Sequence, residues 1–317
     1  MKKRLRLLAC SLTLIIALSV CSYGWNSRGH MMVAAVAYDK LTANTKKRVA
    51  ELIRRNPDFR LFLKQVPRGT SEAKKQKMLF MVAATWPDMI KSDGRYNNDG
   101  TDNGNVPPAT GGDRNTGYDD FARHKYWHFV DISFPDDIGL PTPNAQDRID
   151  AFVAVLSGPK SPDTDDLKSY DLCWLLHLVG DVHQPLHCIT RTTPDSNGKP
   201  KGDAGGNGVR LSGSDNNLHS AWDDAVGKIS DPQSVITGQG GLPAAPATEI
   251  NDLDVGHWVA KSADLAKTQA YKDPPIGKTN GPFTLTAPYR TNMTKIAKAR
   301  IAVGGARLAK ILNEKLQ

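Results

Sequence analysis

The sequence predicts an all-α protein, a single helical domain threaded with long loops. Three observations carry this. Apolar residues recur at helical spacing along most of the chain. Alternating β-branched runs are scarce. The segments between the helical stretches are dense in Gly, Pro, Asn and Asp, the composition of surface loops.

Taken in order, the chain opens with Lys2, Lys3, Arg4 and Arg6, followed by an apolar run of 14 residues, Leu7–Val20. That run is too short to span a bilayer and suits the core of a secretory signal. Ser22 and Gly24 stand at −3 and −1 before Trp25, the small residues a signal peptidase reads. A lipoprotein cut would leave Cys21 first, but Val20 is bulky for the position before a lipidated cysteine. Residues 1–24 are therefore read as a cleaved signal, and 25–317 as one mature domain, exported to the periplasm or the medium. No later stretch is long and apolar enough for a membrane anchor. The formal charge of +8 falls to +4 without the four signal cations, a mild basicity that favours anionic partners only weakly.

Leu41–Phe62 and "SEAKKQKMLFMVAATWPDMI" carry helical patterns, and Lys91–Asp120 reads as a long surface loop. "AQDRIDAFVAVLSG" and "LKSYDLCWLLHLVGDV" are two more helices. Thr190–Ser214 and Ser230–Ala247 are loops flanking a helix in "NNLHSAWDDAVGKI". The last segment is amphipathic and interrupted at Gly304–Gly305. Cys10 and Cys21 leave with the signal, so Cys173 and Cys188 remain in a compartment that permits a disulfide. On an unbroken helix they would stand about 22 Å apart. Pro185 opens a return path, which leaves a Cys173–Cys188 bond or two buried free thiols, the latter being the plainer reading.

The densest chemistry lies in "HLVGDVHQPLH". His177 and Asp181, four apart, share one helix face, and His187 lies just past the proline that turns the chain. His219 and Asp223 in "NLHSAWD" repeat the spacing. Imidazole and carboxylate are natural zinc ligands. A structural i,i+4 pair explains either one alone, and the repetition argues for metal. His30, Asp88 in "TWPDMIK" and His128 in "YWHFVD" stand apart, and each taken singly reads as a hydrogen-bonded core residue.

Together, Trp25, "RGH", "TWPDMIK", "WHFVD", "HLVGDVHQPLH", "GGN" and "NLHSAWD" resemble the trinuclear-zinc, single-strand-specific nucleases of fungi, plants and bacteria, the S-one/P-one type that includes mung-bean nuclease. The resemblance covers nearly the whole mature chain in the right order. It implies the helical fold shared with zinc phospholipase C and three zinc ions per chain. Trp25, through its free α-amine and carbonyl, and His30 would hold one ion. Asp88, His128 and His177 would hold its neighbour, with Asp181 bridging, and His187, His219 and Asp223 a third. It implies hydrolysis of single-stranded DNA and RNA to 5′-phosphates by a water activated between the paired ions, with 3′-nucleotidase action. Asp88, Lys91 and Asp131 are the catalytic candidates, and Lys91 stands where the family often has arginine, without the bidentate fork. Asp131 would orient a ligand or the nucleophile. Phe129 matches a base-stacking position, and Gly206 and Asn207 of "GGN" would approach the base edge. A monomer without a stable protein partner is expected. The alternatives are a zinc-dependent phospholipase C, and a non-catalytic zinc- or nucleotide-binding export protein.

Overall fold

The structure is a computed structural model and describes residues 25–98 and 122–316. The expected signal segment and most of the expected Lys91–Asp120 loop lie outside the described residues. Twelve α-helices and a small sheet make up the described fold: α1 (Ser27–Lys40), α2 (Ala43–Ile53), α3 (Phe59–Lys64), α4 (Glu72–Ala83), α5 (Trp86–Ile90), β1 (Ile132–Phe134), α6 (Ala145–Leu156), α7 (Pro162–Asp181), β2 (Ile189–Pro194), β3 (Pro200–Gly202), α8 (Leu218–Asp223), α9 (Pro232–Gly238), α10 (Ala247–Asn251), α11 (Val255–Leu265) and α12 (Ala287–Lys315). The all-α expectation holds. The sheet is a minor feature, with β2 and β3 almost wholly inside the expected Thr190–Ser214 loop: β1 runs parallel to β2 (Ile132 opposite Ile189), and β2 antiparallel to β3.

Helix α7 is the spine. Ser161 and Thr164 form a capping box with Pro162 at N1, and the chain leaves the helix ahead of Pro185. Its flanks pack on α1, α2, α6 and α12. Two expected helices are each broken in two. Arg54–Asp58, with Pro57, separates α2 from α3, and Ala84–Thr85 separates α4 from α5, whose second residue is Pro87. α1 has no amphipathic stripe because residues 29–38 are all buried.

Helix α12 is continuous, which corrects the expected interruption at Gly304–Gly305. The glycines are contact points. A Cβ on Gly305 would lie 2.6 Å from both Val33 O and Val36 Cβ of α1, and one on Gly304 would lie 3.1 Å from the His183 ring. Of the two readings of Cys173 and Cys188, the structure has the plainer one, two buried free thiols. Asn56 donates to the Cys173 sulfur from the α2–α3 turn, whereas Cys188 faces Val182 O beyond the end of α7, so the two thiols serve different sides of the helix.

Candidate metal centre

Eight of the sequence-predicted residues meet in one buried cluster at the end of α7. His30 comes from α1, Asp88 from α5, and His128 from the end of a 3₁₀ turn, Lys125–His128. His177 and Asp181 are on the last turns of α7, His187 is on a second 3₁₀ turn, Pro185–Cys188, and His219 and Asp223 are on α8. Their donor atoms fall into three groups: His30, His177 and Asp181; Asp88, His128 and His177; His187, His219 and Asp223. Within each group the donor atoms lie within 4.8 Å of one another.

The local structure explains the convergence. Gly180 lets His30 in, since a Cβ there would lie 2.8 Å from His30 Nδ1. Trp25 is fully buried, and its side chain folds over Gly29, where a Cβ would lie 2.6 Å from Trp25 Cβ. The next residue, Asn26, caps α1 by accepting from Gly29 N, and its backbone N–H donates to Asp223 O at 3.4 Å. α8 begins in a capping box of Asn217 and Ser220, so His219 and Asp223 face inward together.

Hydrogen bonds fix the imidazoles. Nδ1 of His177 donates to Ala84 O at 2.8 Å, that of His187 to His128 O at 2.7 Å, and that of His219 to Gly205 O at 2.8 Å. Each bond leaves Nε2 as a lone pair when the ring is neutral. His187 Nε2 and His219 Nε2 then face each other at 3.1 Å, with Asp223 Oδ2 3.6 Å from the latter. The other carboxylate oxygen of Asp223 accepts from Gln184 Nε2 at 2.7 Å. Two lone pairs so close repel unless a proton or a metal cation lies between them; burial disfavours a proton on either ring, and ligands around tetrahedral zinc stand about 3.3 Å apart. In the other two groups, His177 Nε2 lies 3.2 Å from Asp181 Oδ2 and 3.6 Å from Asp88 Oδ1, and His30 Nε2 lies 3.3 Å from Asp181 Oδ1. Both ring nitrogens of His30 and Oδ1 of Asp181 are buried without a hydrogen bond. The donor set fits metal ions.

Burial pushes the His30 imidazole down to about 4, aided by His177, and His128 and His219 down to about 3. Burial would raise Asp88, but Lys91, His177 and the other imidazoles hold it at about 2. Burial alone would lower His177, yet Asp181 and Asp88 draw a proton towards it. A bound cation would take that proton's place.

Lys91 is buried, with Nζ 2.9 Å from Asp88 Oδ1. Asp131 has a left-handed backbone, φ 56°, and burial followed by the charge of Asp203 raises its carboxyl to about 7. Asp131 and Asp203 line an open cleft of about 810 Å³, with Ile138, Thr193, Lys201 and Asn280 among its other walls. Phe129 is buried with its ring tilted 5.7 Å from that of His187. Gly206 N donates to Asp203 Oδ1, and the Asn207 side chain donates to Ala204 O. Sequence reasoning missed Asn26, Gln184 and Asp203. Gln184 stands inside "HLVGDVHQPLH" and Asp203 just ahead of "GGN", but their partners come from distant segments that periodicity does not report.

The S1/P1 Nuclease family profile matches residues 25–317. Endonuclease 3 of Arabidopsis thaliana is 29% identical over 161 residues, spanning 45% of this chain and 50% of its own length. Nuclease S1 of Aspergillus oryzae is 26% identical over 220 residues, spanning 66% of this chain and 56% of its own. Endonuclease 4 of A. thaliana is 28% identical over 176 residues, 48% and 54% respectively. The chain thus spans about half the length of the curated relatives it matches. With the profile aligned over its whole described length and a cluster of buried imidazoles and carboxylates at its centre, the chain belongs to the S1/P1 nuclease family.

Proposed function

We propose that the protein is an exported, zinc-dependent endonuclease. It hydrolyses single-stranded DNA and RNA to 5′-phosphate products and acts as a 3′-nucleotidase on mononucleotides. The observation that carries the reading is the pair of lone-pair nitrogens, His187 Nε2 and His219 Nε2, facing each other beside Asp223. The two further groups around Asp181 and Asp88 support a total of three ions. The start of the family match at Trp25 supports a mature chain whose free α-amine completes the His30 group. Zinc supplies Lewis acidity, lowering the pKa of water towards ~7 and neutralising phosphoryl charge.

The chain's own groups divide the remaining work. Asp181 and Asp88 hold the imidazoles of His30, His128 and His177 in register. Lys91 Nζ offsets charge on the phosphoryl oxygens as a point cation. Asp131, on the wall of the cleft, orients a ligand or the nucleophile. The cleft beside Asp131 receives the flanking nucleotide, with Ala204 and Gly208 on either side of the Gly206–Asn207 turn among its walls and Phe129 backing His187. An exposed base face is needed there, which favours single strands over duplex.

The test is cleavage of matched single- and double-stranded DNA, with phosphatidylcholine as a control, before and after EDTA and after zinc is restored. Single-strand cleavage lost to EDTA and regained with zinc is expected. Activity surviving chelation, or on phosphatidylcholine alone, would overturn the reading.

A further inference from the structure

The charge of this chain is strongly polarised. Residues 40–77 hold twelve Lys and Arg against three Asp and Glu, net +9, whereas the rest from Trp25 onward is net −5. Some of these cations are engaged. Arg48 is buried against Asp165, Arg55 pairs with Asp166 at 2.7 Å, and Lys77 pairs with Asp39 at 2.7 Å. Of the remainder, Lys40, Lys46 and Lys47 lie around the α1–α2 junction, and Arg54, Arg60, Lys64, Arg68, Lys74 and Lys75 lie where α2 ends, α3 runs and α4 begins. Arg60 and Lys64, four apart and exposed, share the face of α3 opposite the buried Phe62. Arg68 follows in the exposed turn to α4. Arg54 and Lys75 stand 3.9 and 3.8 Å from Glu72, two cations on one carboxylate, which ties the end of α2 to the start of α4.

α3 packs on α4, and the residues at its two ends, Asp58 and Gln65, reach α5, which carries Asp88. At one end Asp58 accepts from Trp86 Nε1 at 3.0 Å, and at the other Gln65 Nε2 lies 3.8 Å from Met89 Sδ. We propose that the outer face of α3, with the adjoining ends of α2 and α4, is a docking track for the phosphate backbone of a single-stranded nucleic acid engaged in the site. It grips nucleotides remote from the bond being cut. The inference rests on the nuclease reading for its substrate and on the charge distribution for its location. A membrane partner fits less well. The exposed large apolar side chains among the described residues are Ile138, Leu140 and Ile229, none on this face, so nothing there would insert into an anionic bilayer.

The test is a triple variant, Arg60→Glu, Lys64→Glu and Arg68→Glu, at three exposed positions outside the catalytic machinery. Its melting temperature checks the fold. KM and kcat are measured on a 40-nucleotide single strand and on a dinucleotide across a salt series, and 40-mer binding is read by fluorescence anisotropy. The track requires KM for the 40-mer to rise about tenfold at low salt and its log–log salt dependence to become shallower by about 2, the loss of three phosphate contacts at ~0.7 each. The kcat and all dinucleotide parameters stay at wild-type values. Wild-type KM and salt dependence on the 40-mer would overturn the proposal. So would a variant that loses only its binding to phosphatidylglycerol vesicles. Should the wild-type protein cleave neither substrate, the nuclease reading fails and anisotropy still decides: roughly tenfold weaker 40-mer binding by the variant supports the track, and equal binding refutes it.

Discussion

Asp131 and His183 show how differently two buried titratable groups can serve. Asp131 pairs a left-handed backbone with a carboxyl raised to about 7, on the wall of the open cleft. Asp131→Asn keeps the shape and removes the ionisable carboxyl. It should lower kcat on single-stranded DNA about a hundredfold, with metal content by elemental analysis unchanged. His183 sits among polar partners away from the cleft. Its Nδ1 donates to Val179 O at 2.7 Å and its Nε2 accepts from Arg307 at 3.0 Å. Burial, then Arg300 and Arg307, hold it well below 6.5. Below about pH 6.5 the unfolded chain takes up a proton here that the folded chain refuses, so this residue erodes stability as pH falls through 6.5. His183→Gln should cost about 1–3 kcal/mol near pH 8 through the lost hydrogen bond. It should also make the loss between pH 8 and pH 5 smaller by about 1–2 kcal/mol, read by urea unfolding of both proteins. An equal pH dependence would count against the buried neutral imidazole.

At the scale of elements, Asn26 joins the start of α1 to the end of α8. Its side-chain oxygen caps α1, while its Nδ2 donates to Asp224 Oδ1 at 2.7 Å and Gly227 O at 2.8 Å. Asn26→Ser keeps a capping oxygen and loses both donors. Zinc affinity, by chelator competition, should fall a few-fold, because the lost bonds hold Asp224, next to the candidate ligand Asp223, at the end of α8. Melting of the metal-free protein should change little. Gly305→Ala places a methyl against Val33 O and Val36, and should cost about 1–3 kcal/mol in thermal unfolding. The legibility of the fold follows the same contacts. α6 and the His-x-x-x-Asp pairs of α7 and α8 are readable because helical period alone sets which residues share a face. α1 is unreadable because burial on every side erases its stripe, and Gly304–Gly305 reads as a break because close approach to α1 is not local information. Pro57 and Pro87 stand in the sequence, but only the packed chain shows that each splits a helix.

Across the whole molecule, the cluster gathers three carboxylates and five imidazoles, all buried. Such a concentration of buried ionisable groups, with both His30 nitrogens and Asp181 Oδ1 lacking hydrogen bonds, is costly without cations. Ions bound only by the folded chain should stabilise it by about 4 kcal/mol at a thousandfold excess over Kd. EDTA should therefore lower the melting temperature, zinc should restore it, and magnesium, which prefers oxygen ligands, should not. The imidazoles of His30, His128 and His219 are depressed. His177, which two of the groups share, is instead drawn towards a proton by Asp181 and Asp88, so metal loss in mildly acid solution should begin at the groups that contain it. The residue types that converge in the cluster, and their order along the chain, were legible in the sequence. The lone-pair geometry was not, because the carbonyls of Ala84, His128 and Gly205 that fix it come from segments distant in sequence. The most direct test is diffraction from crystals of the mature protein on both sides of the zinc absorption edge. Three anomalous peaks are expected, one between His187 and His219 and two flanking Asp181. A single peak, or none within reach of these side chains, would contradict the account.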